Sequence, residues 1–196
     1  MASEAPSQCR SRLGLEPDRT TLLVTGASQG ASSLNRLMLR LVRSHTKELQ
    51  SLQIIHLSGQ HSRDELQKAY DSAGIHAVVE PFIHEMGLAW GAASMAISRA
   101  GANSVAEIQA NAIPAIFLPY PHHRDQHQIH NARPLVDAGG SHMVDYRDDE
   151  TTAGDVGKLL FGVFQNSRSH GAMVKALQAR SRPDAAQRVV SILLDS

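Results

Sequence analysis

Apolar residues along the chain fall into six short runs, separated by stretches in which they recur every three or four positions. The first run, Thr21-Leu22-Leu23-Val24-Thr25, stops at Gly26, and Leu34, Leu37, Met38, Leu41 and Val42 then follow at helical spacing. This predicts strand, turn and helix. Gln53 to Ser58 reads as a second strand, closed by Ser58-Gly59. A helix near 62–73 follows and ends at Gly74, and Ala77 to Glu80 reads as a third strand. A short helix over Met86 to Ala93 leads into the strand Met95-Ala96-Ile97-Ser98, and a helix over Ser104 to Asn111 leads into Ala115-Ile116-Phe117-Leu118, bounded by Pro114 and Pro119. A helix over Gln126 to Ala138 passes through Gly139-Gly140 to a short strand at His142 to Asp145, and Asp145 to Thr152 reads as a loop. From Ala153 onward the pattern is helical, with Pro183 opening a last amphipathic helix.

Strands alternating with helices predict an α/β fold: a Rossmann-like parallel sheet of about six strands, covered by helices on both faces. Residues 1–20 read as a polar lead-in or linker and 21–196 as one domain. In such a sheet ligands bind beyond the carboxyl ends of the strands. The segments that qualify are Gly26 to Ala31, Phe82 to Met86, Arg99 to Glu107 and Pro119 to Asn131.

Composition narrows the partners. Nineteen Lys and Arg balance nineteen Asp and Glu, so no overall charge draws the chain to nucleic acid or to an anionic membrane. The single Cys9 excludes an internal disulfide framework and a cysteine-based zinc site. The first twenty residues lack the apolar run of a signal peptide, and no apolar stretch approaches the ~20 residues of a membrane span. The expected location is the cytoplasm. Eleven histidines stand out, because they make the charge soft near neutral pH.

Gly26-Ala27-Ser28-Gln29-Gly30-Ala31 joins the first strand to its helix, where backbone N–H groups and the positive helix end can face a diphosphate and Ser28 can add a hydroxyl donor. An ordinary tight βα turn is the alternative. The segment has no Lys of a P-loop and fails G-x-G-x-x-G at Ser28, which disfavours a nucleotide triphosphatase and a dinucleotide fold. After the fourth strand, Arg99-Ala100-Gly101-Ala102-Asn103-Ser104-Val105-Ala106-Glu107 repeats the arrangement. Glu107 is placed to accept from a ribose diol, yet Ser104-Val105-Ala106-Glu107 also matches a capping box, in which the carboxylate only satisfies the helix end.

In Phe82-Ile83-His84-Glu85-Met86, Ile83 is placed to flank a planar base, and Phe82 is expected in the core. Pro119 to Asn131 is the densest polar segment. His123, His127 and His130 are spaced to share a helix face, which permits a zinc reading, but neither H-E-x-x-H nor a carboxylate pair accompanies them. Imidazole and amide groups crowded after a strand suit sugar hydroxyls better, and no metal or other cofactor is expected.

Taken in order, these segments resemble the C-terminal half of the MurG family, the bacterial N-acetylglucosaminyltransferases that make lipid II. The resemblance rests on Leu22 to Ala31 with Leu34-Asn35, on Phe82-Ile83 with Met86, and on Arg99 to Ala102 with Val105-Ala106-Glu107. Pro114 to His122, Asp125 to Ala132 and Pro134-Leu135 complete it. It implies the donor-binding domain of a GT-B glycosyltransferase that holds UDP-N-acetylglucosamine. Ser28, Gln29 and Gly30 would then lie at the diphosphate and Ile83 at the uracil. Gly101, Ala102, Asn103, Ser104 and Val105 would surround the nucleotide, Glu107 would hold the ribose, and His127 and Gln128 would hold the sugar hydroxyls.

The implied reaction is inverting, metal-free displacement at the anomeric carbon by the 4-hydroxyl of a lipid-linked muramyl-pentapeptide. The family's acceptor domain has no counterpart before residue 21, so this chain is expected to bind donor and to need a second domain or partner chain for transfer, with peripheral attachment to the inner membrane face coming through that domain. A split subunit or a non-catalytic nucleotide-sugar module are the alternatives, and a histidine-cluster metal module or a sugar-nucleotide epimerase are further rivals. Ala27 and Ser32 stand where the family usually has glycine and arginine.

Overall fold

The computed structural model describes residues 4–26, 32–120, 126–181, 190, 191, 193 and 194. Six parallel strands form one sheet: β1 (Thr21–Thr25), β2 (Gln53–Leu57), β3 (His76–Glu80), β4 (Met95–Ser98), β5 (Ala115–Phe117) and β6 (Ser141–Met143), in the spatial order β3-β2-β1-β4-β5-β6. The chain runs outward from β1 to one edge, then crosses back to build the other half from β4. β1 and β4 are therefore the pair at which the strand order reverses, the place where ligands bind in sheets of this kind.

Period-two alternation divides the core into two layers. Leu22, Val24, Ile54, Ile97 and Ile116 face one layer, beneath α2 (Ser32–Ser44), α4 (Arg63–Ser72) and α8 (Asp149–Phe164). Leu23, Ile55, Ala96, Ala115 and Phe117 face the other, beneath α5 (Met86–Ala92), α6 (Ala102–Asn111), α7 (His127–Asp137) and α9 (Ser167–Arg180). Burial on both faces explains why β1 and β2 read as nearly unbroken apolar runs. The helical spacing of Leu34, Leu37, Met38, Leu41 and Val42 places all five in the core.

Four local expectations change. The polar lead-in contains α1 (Pro6–Arg12), which packs on α5 with Cys9 and Leu15 buried, and Arg10 Nε donates to the Ala92 carbonyl at 2.9 Å. A run of polar residues hid it because only one side of so short a helix touches the core. The expected loop after β6 is already helical from Asp149, where the Asp148 carboxylate caps α8 by accepting from the Thr151 N–H at 2.8 Å. α6 begins at Ala102, two residues before the predicted start. Phe82 is 55% exposed and meets His84 edge to face at 4.8 Å, while its neighbour Ile83 packs against the core. The helix expected from Pro183 lies mostly outside the described residues.

Candidate functional site

The carboxyl edge at β1 and β4 gathers groups from four elements. β1 ends at Thr25, buried Gly26 follows it, residues 27–31 lie outside the described set, and α2 starts at Ser32. Ser28, Gln29 and Gly30 are among the residues outside that set. Across the reversal point, β4 ends at Ser98 and the chain passes through Arg99 and Ala100 into α6, with Gly101 as its N-cap. Among the described residues, a methyl group added at Gly101 would meet nothing within 4 Å. The backbone at this helix start thus borders open space.

The capping-box expectation fails on register. Gly101 is the N-cap, so Ser104 is the third helical residue and Glu107 lies beyond the first turn, too far to reach the cap N–H. Among the described residues no side-chain cap bond closes the start of α6. Among the described residues the half-buried Glu107 carboxylate has no hydrogen-bond or ion-pair partner; only its backbone carbonyl is used, by Asn111 Nδ2 at 2.8 Å. Ala102 and Asn103 are exposed in the first turn, whereas Ser104 and Val105 are buried beneath it. The first two face solvent and the second two pack beneath the helix start.

Past β5, the Tyr120 N–H donates to Gln128 Oε1 at 2.9 Å, which fixes the amide of Gln128 and leaves its NH2 without a partner among the described residues. His127 opens α7 beside it, half-buried. Asn131 Nδ2 donates to the Ala100 carbonyl at 3.1 Å, so α7 is tied to the turn after β4. Gln126 enters the helix with φ of 50°, a left-handed backbone that is uncommon outside glycine. Tyr120, Gln126, Gln128, Asp145 and Tyr146 line a cleft of about 260 Å³ there. Its size suits a small polar group rather than an extended apolar ligand. His122 and His123 of the histidine cluster lie outside the described residues.

Ile83, on the loop after β3, packs in the same apolar layer as Val105 of α6. The structure therefore ties α7 to the turn before α6 through Asn131 and packs Ile83 against the same apolar layer as Val105.

Arg99 and Tyr120, which the sequence analysis names only within longer segments and gives no role, are further functional candidates. Arg99 is 3% exposed one residue past β4. Its Nη1 donates to the carbonyls of Leu118 at 2.6 Å and Pro119 at 3.1 Å, its Nη2 donates to Ser33 Oγ, and its guanidinium carbon lies 5.6 Å from the centre of the Tyr120 ring. No carboxylate pairs with it among the described residues, and its Nε–H is buried without an acceptor. Desolvation draws its pKa below the usual arginine value. A buried donor left unpaired costs about 1–3 kcal/mol. The available signal was a charged residue continuing the apolar run of β4.

On the other side of the sheet, a buried polar chain braces α2. His56 Nε2–H donates to Asn35 Oδ1 at 3.0 Å, Asn35 Nδ2 donates to the Ser58 carbonyl at 2.9 Å, and the Tyr70 hydroxyl donates to His56 Nδ1 at 2.8 Å. The donors and acceptors assign one tautomer, because the Asn35 NH2 is already committed to Ser58. Full burial pushes the His56 pKa down to about 3 and the Tyr70 pKa up.

The strand order defines a doubly wound α/β domain, a class whose ligands bind at the strand-order reversal, which falls here between β1 and β4. Residues 21–189 match the glycosyltransferase family 28 C-terminal domain, and the chain belongs to that family. It is 36% identical over 189 residues to the UDP-N-acetylglucosamine--N-acetylmuramyl-(pentapeptide) pyrophosphoryl-undecaprenol N-acetylglucosamine transferase of a Nocardioides species, covering 96% of this chain and 50% of that protein. The protein of the same name from Mycolicibacterium smegmatis is 35% identical over 192 residues, covering 96% and 48%. The crystal structure of Acinetobacter baumannii MurG superposes with a TM-score of 0.76 at 29% identity, covering 98% of this chain and 54% of that one. The C-terminal domain of LpcC from Francisella tularensis shares the fold at 13% identity, with a TM-score of 0.63 and 90% of each chain covered. The chain spans about half the length of the curated relatives it matches.

Proposed function

We propose that this chain is the donor-binding half of an inverting N-acetylglucosaminyltransferase that uses UDP-N-acetylglucosamine and, together with an acceptor-binding domain or partner, glycosylates a lipid-linked muramyl-pentapeptide. The observation that carries it is the free Glu107 carboxylate on α6 at the strand-order reversal, released from any capping role by the position of the helix start. An unpaired acceptor one turn above an open helix N-terminus suits a vicinal diol, and a ribose presents one. The N-termini of α2 and α6 favour the negative charge of the diphosphate, including the charge that develops as UDP departs. Gln128, its Oε1 fixed by Tyr120, offers its NH2 to a sugar hydroxyl, with His127 beside it.

In this reading Ser28, Gln29 and Gly30 complete the diphosphate turn, Ile83 lies by the base, and Gly101 to Val105 shape the nucleotide cradle. These residues bind and orient the donor. Deprotonation of the acceptor hydroxyl belongs to the acceptor side, where the enzyme would contact the membrane face. Calorimetric titration of the folded chain with UDP, UDP-glucose and UDP-N-acetylglucosamine tests the donor assignment. Saturable binding with preference for the N-acetyl sugar is expected, and absence of UDP binding would overturn it. Restoration of transfer to the lipid-linked acceptor by an acceptor domain supplied in trans separates the enzyme half from a non-catalytic nucleotide-sugar module.

A further inference from the structure

We propose that Arg99 is a positioning residue that sets the width of the donor crevice by tying the first turn of α2 to the chain leaving β5; this rests on the donor-binding reading. β4 lies between β1 and β5 in the sheet, so a side chain one residue beyond β4 reaches the connections of both neighbours. Arg99 uses that place fully. One arm of its guanidinium donates to Ser33 Oγ, immediately beyond the turn that follows β1, and the other donates to the Leu118 and Pro119 carbonyls beyond β5. Tyr120, which lies over the guanidinium, also donates its N–H to Gln128. One planar group therefore fixes the start of the glycine-rich side, the carbonyls of the opposite side and, through Tyr120, a residue assigned to the sugar.

The chemistry requires arginine. A lysine ammonium retains the charge but has no planar fork to hold acceptors lying in two directions at once. Leu118 and Pro119 offer only backbone carbonyls, and Ser33 only a hydroxyl, so the group is held by neutral acceptors and no carboxylate among the described residues cancels its charge. An anionic ligand entering the crevice meets that charge at low dielectric, where its influence is strongest. An ion pair built for stability would have an acid opposite the arginine. The arrangement here holds shape and leaves the positive potential to the ligand.

The test compares the wild-type chain with Arg99→Lys and Ser33→Ala, using amide hydrogen exchange without ligand and calorimetric titration with uridine, UMP and UDP. Arg99→Lys is expected to speed exchange in residues 32–35 and 118–120 while leaving β2 and β3 unchanged. It should weaken UDP binding about tenfold, the scale of one charge-assisted hydrogen bond, and uridine binding by less than about threefold. Ser33→Ala should reproduce the exchange effect at 32–35 only. Unchanged exchange at both segments in Arg99→Lys overturns the proposal whether or not nucleotide binds. Equal losses for uridine and UDP overturn it as well, because they would mark a general loss of folding. A wild-type chain that fails to bind UDP refutes the donor reading instead, and the exchange experiment still decides the role of Arg99.

Discussion

Acidification should destabilise this domain through one buried imidazole. His56 is fully buried, its ring nitrogens are both used by Tyr70 and Asn35, and its pKa is pushed down to about 3 by desolvation. In the unfolded chain the same ring takes up a proton near pH 6.5. Between those values unfolding binds a proton that the folded state refuses, so falling pH favours the unfolded chain. Each pH unit inside the window removes about 1.4 kcal/mol, and the step from pH 7 to pH 5 removes about 2 kcal/mol through this group alone. Protonation in place would also reverse the Tyr70 bond, since Nδ1 would turn from acceptor to donor and leave the Tyr70 hydroxyl proton to find another acceptor.

Urea unfolding at pH 7 and pH 5, for the wild-type chain and His56→Gln, isolates the term. Glutamine keeps a donor for Asn35 but does not titrate. All other groups, including the half-buried His142 whose pKa desolvation also lowers, are common to both proteins and cancel in the difference. The wild type is expected to lose about 2 kcal/mol more than the variant over that interval. Parallel losses would refute the reasoning. The effect matters at the candidate site, because Asn35 joins His56 to α2, the helix that begins where the glycine-rich turn ends.

Glu107→Gln should weaken UDP binding about tenfold by calorimetry, since hydrogen bonds to a charged acceptor contribute about 1.5–3 kcal/mol. Its thermal midpoint should stay within about 1 °C of wild type, because the carboxylate has no structural partner to lose; equal losses in binding and stability would restore a structural role. Gly140→Ala should cost about 1–3 kcal/mol in urea unfolding, because its Cβ would sit 2.7 Å from Leu177 Cγ and Cδ2, where α9 closes over the turn before β6. Asn166→Ala should cost about 1 kcal/mol by the same assay, since its side chain caps α9 by accepting from the Ser169 N–H at 3.1 Å.

The regular parts of the fold were legible because two periodicities carry them. Strands buried on both faces appear as short apolar runs, and all six were found within one or two residues of their observed ends. The amphipathic α2 announced itself through five apolar positions, every one of them buried. Legibility stopped where a residue's role depends on a helix start or on distant chain. Ser104 to Glu107 has the sequence of a capping box, but the preceding Gly101 takes the cap position and moves the box inside the helix. The two readings of Glu107 differ by a shift in the helix start that composition does not encode. Phe82 and Ile83 are likewise adjacent apolar residues at a strand exit, and only tertiary packing decides that the isoleucine turns inward and the phenylalanine outward.

Arg99 shows the limit most sharply and also its cause. Its partners lie 66 residues earlier and 19 and 20 residues later in the chain, distances that no local pattern relates. They become neighbours because the strand order places β4 between β1 and β5. A sequence read strand by strand predicts that useful residues follow strands, and it points to the segments after β1, β4 and β5. The strand order adds that the residue after the middle strand can reach the connections on both sides. In a doubly wound sheet that residue controls the crevice width, so a long, forked and permanently charged side chain there has a geometric consequence that the same side chain after an edge strand would lack.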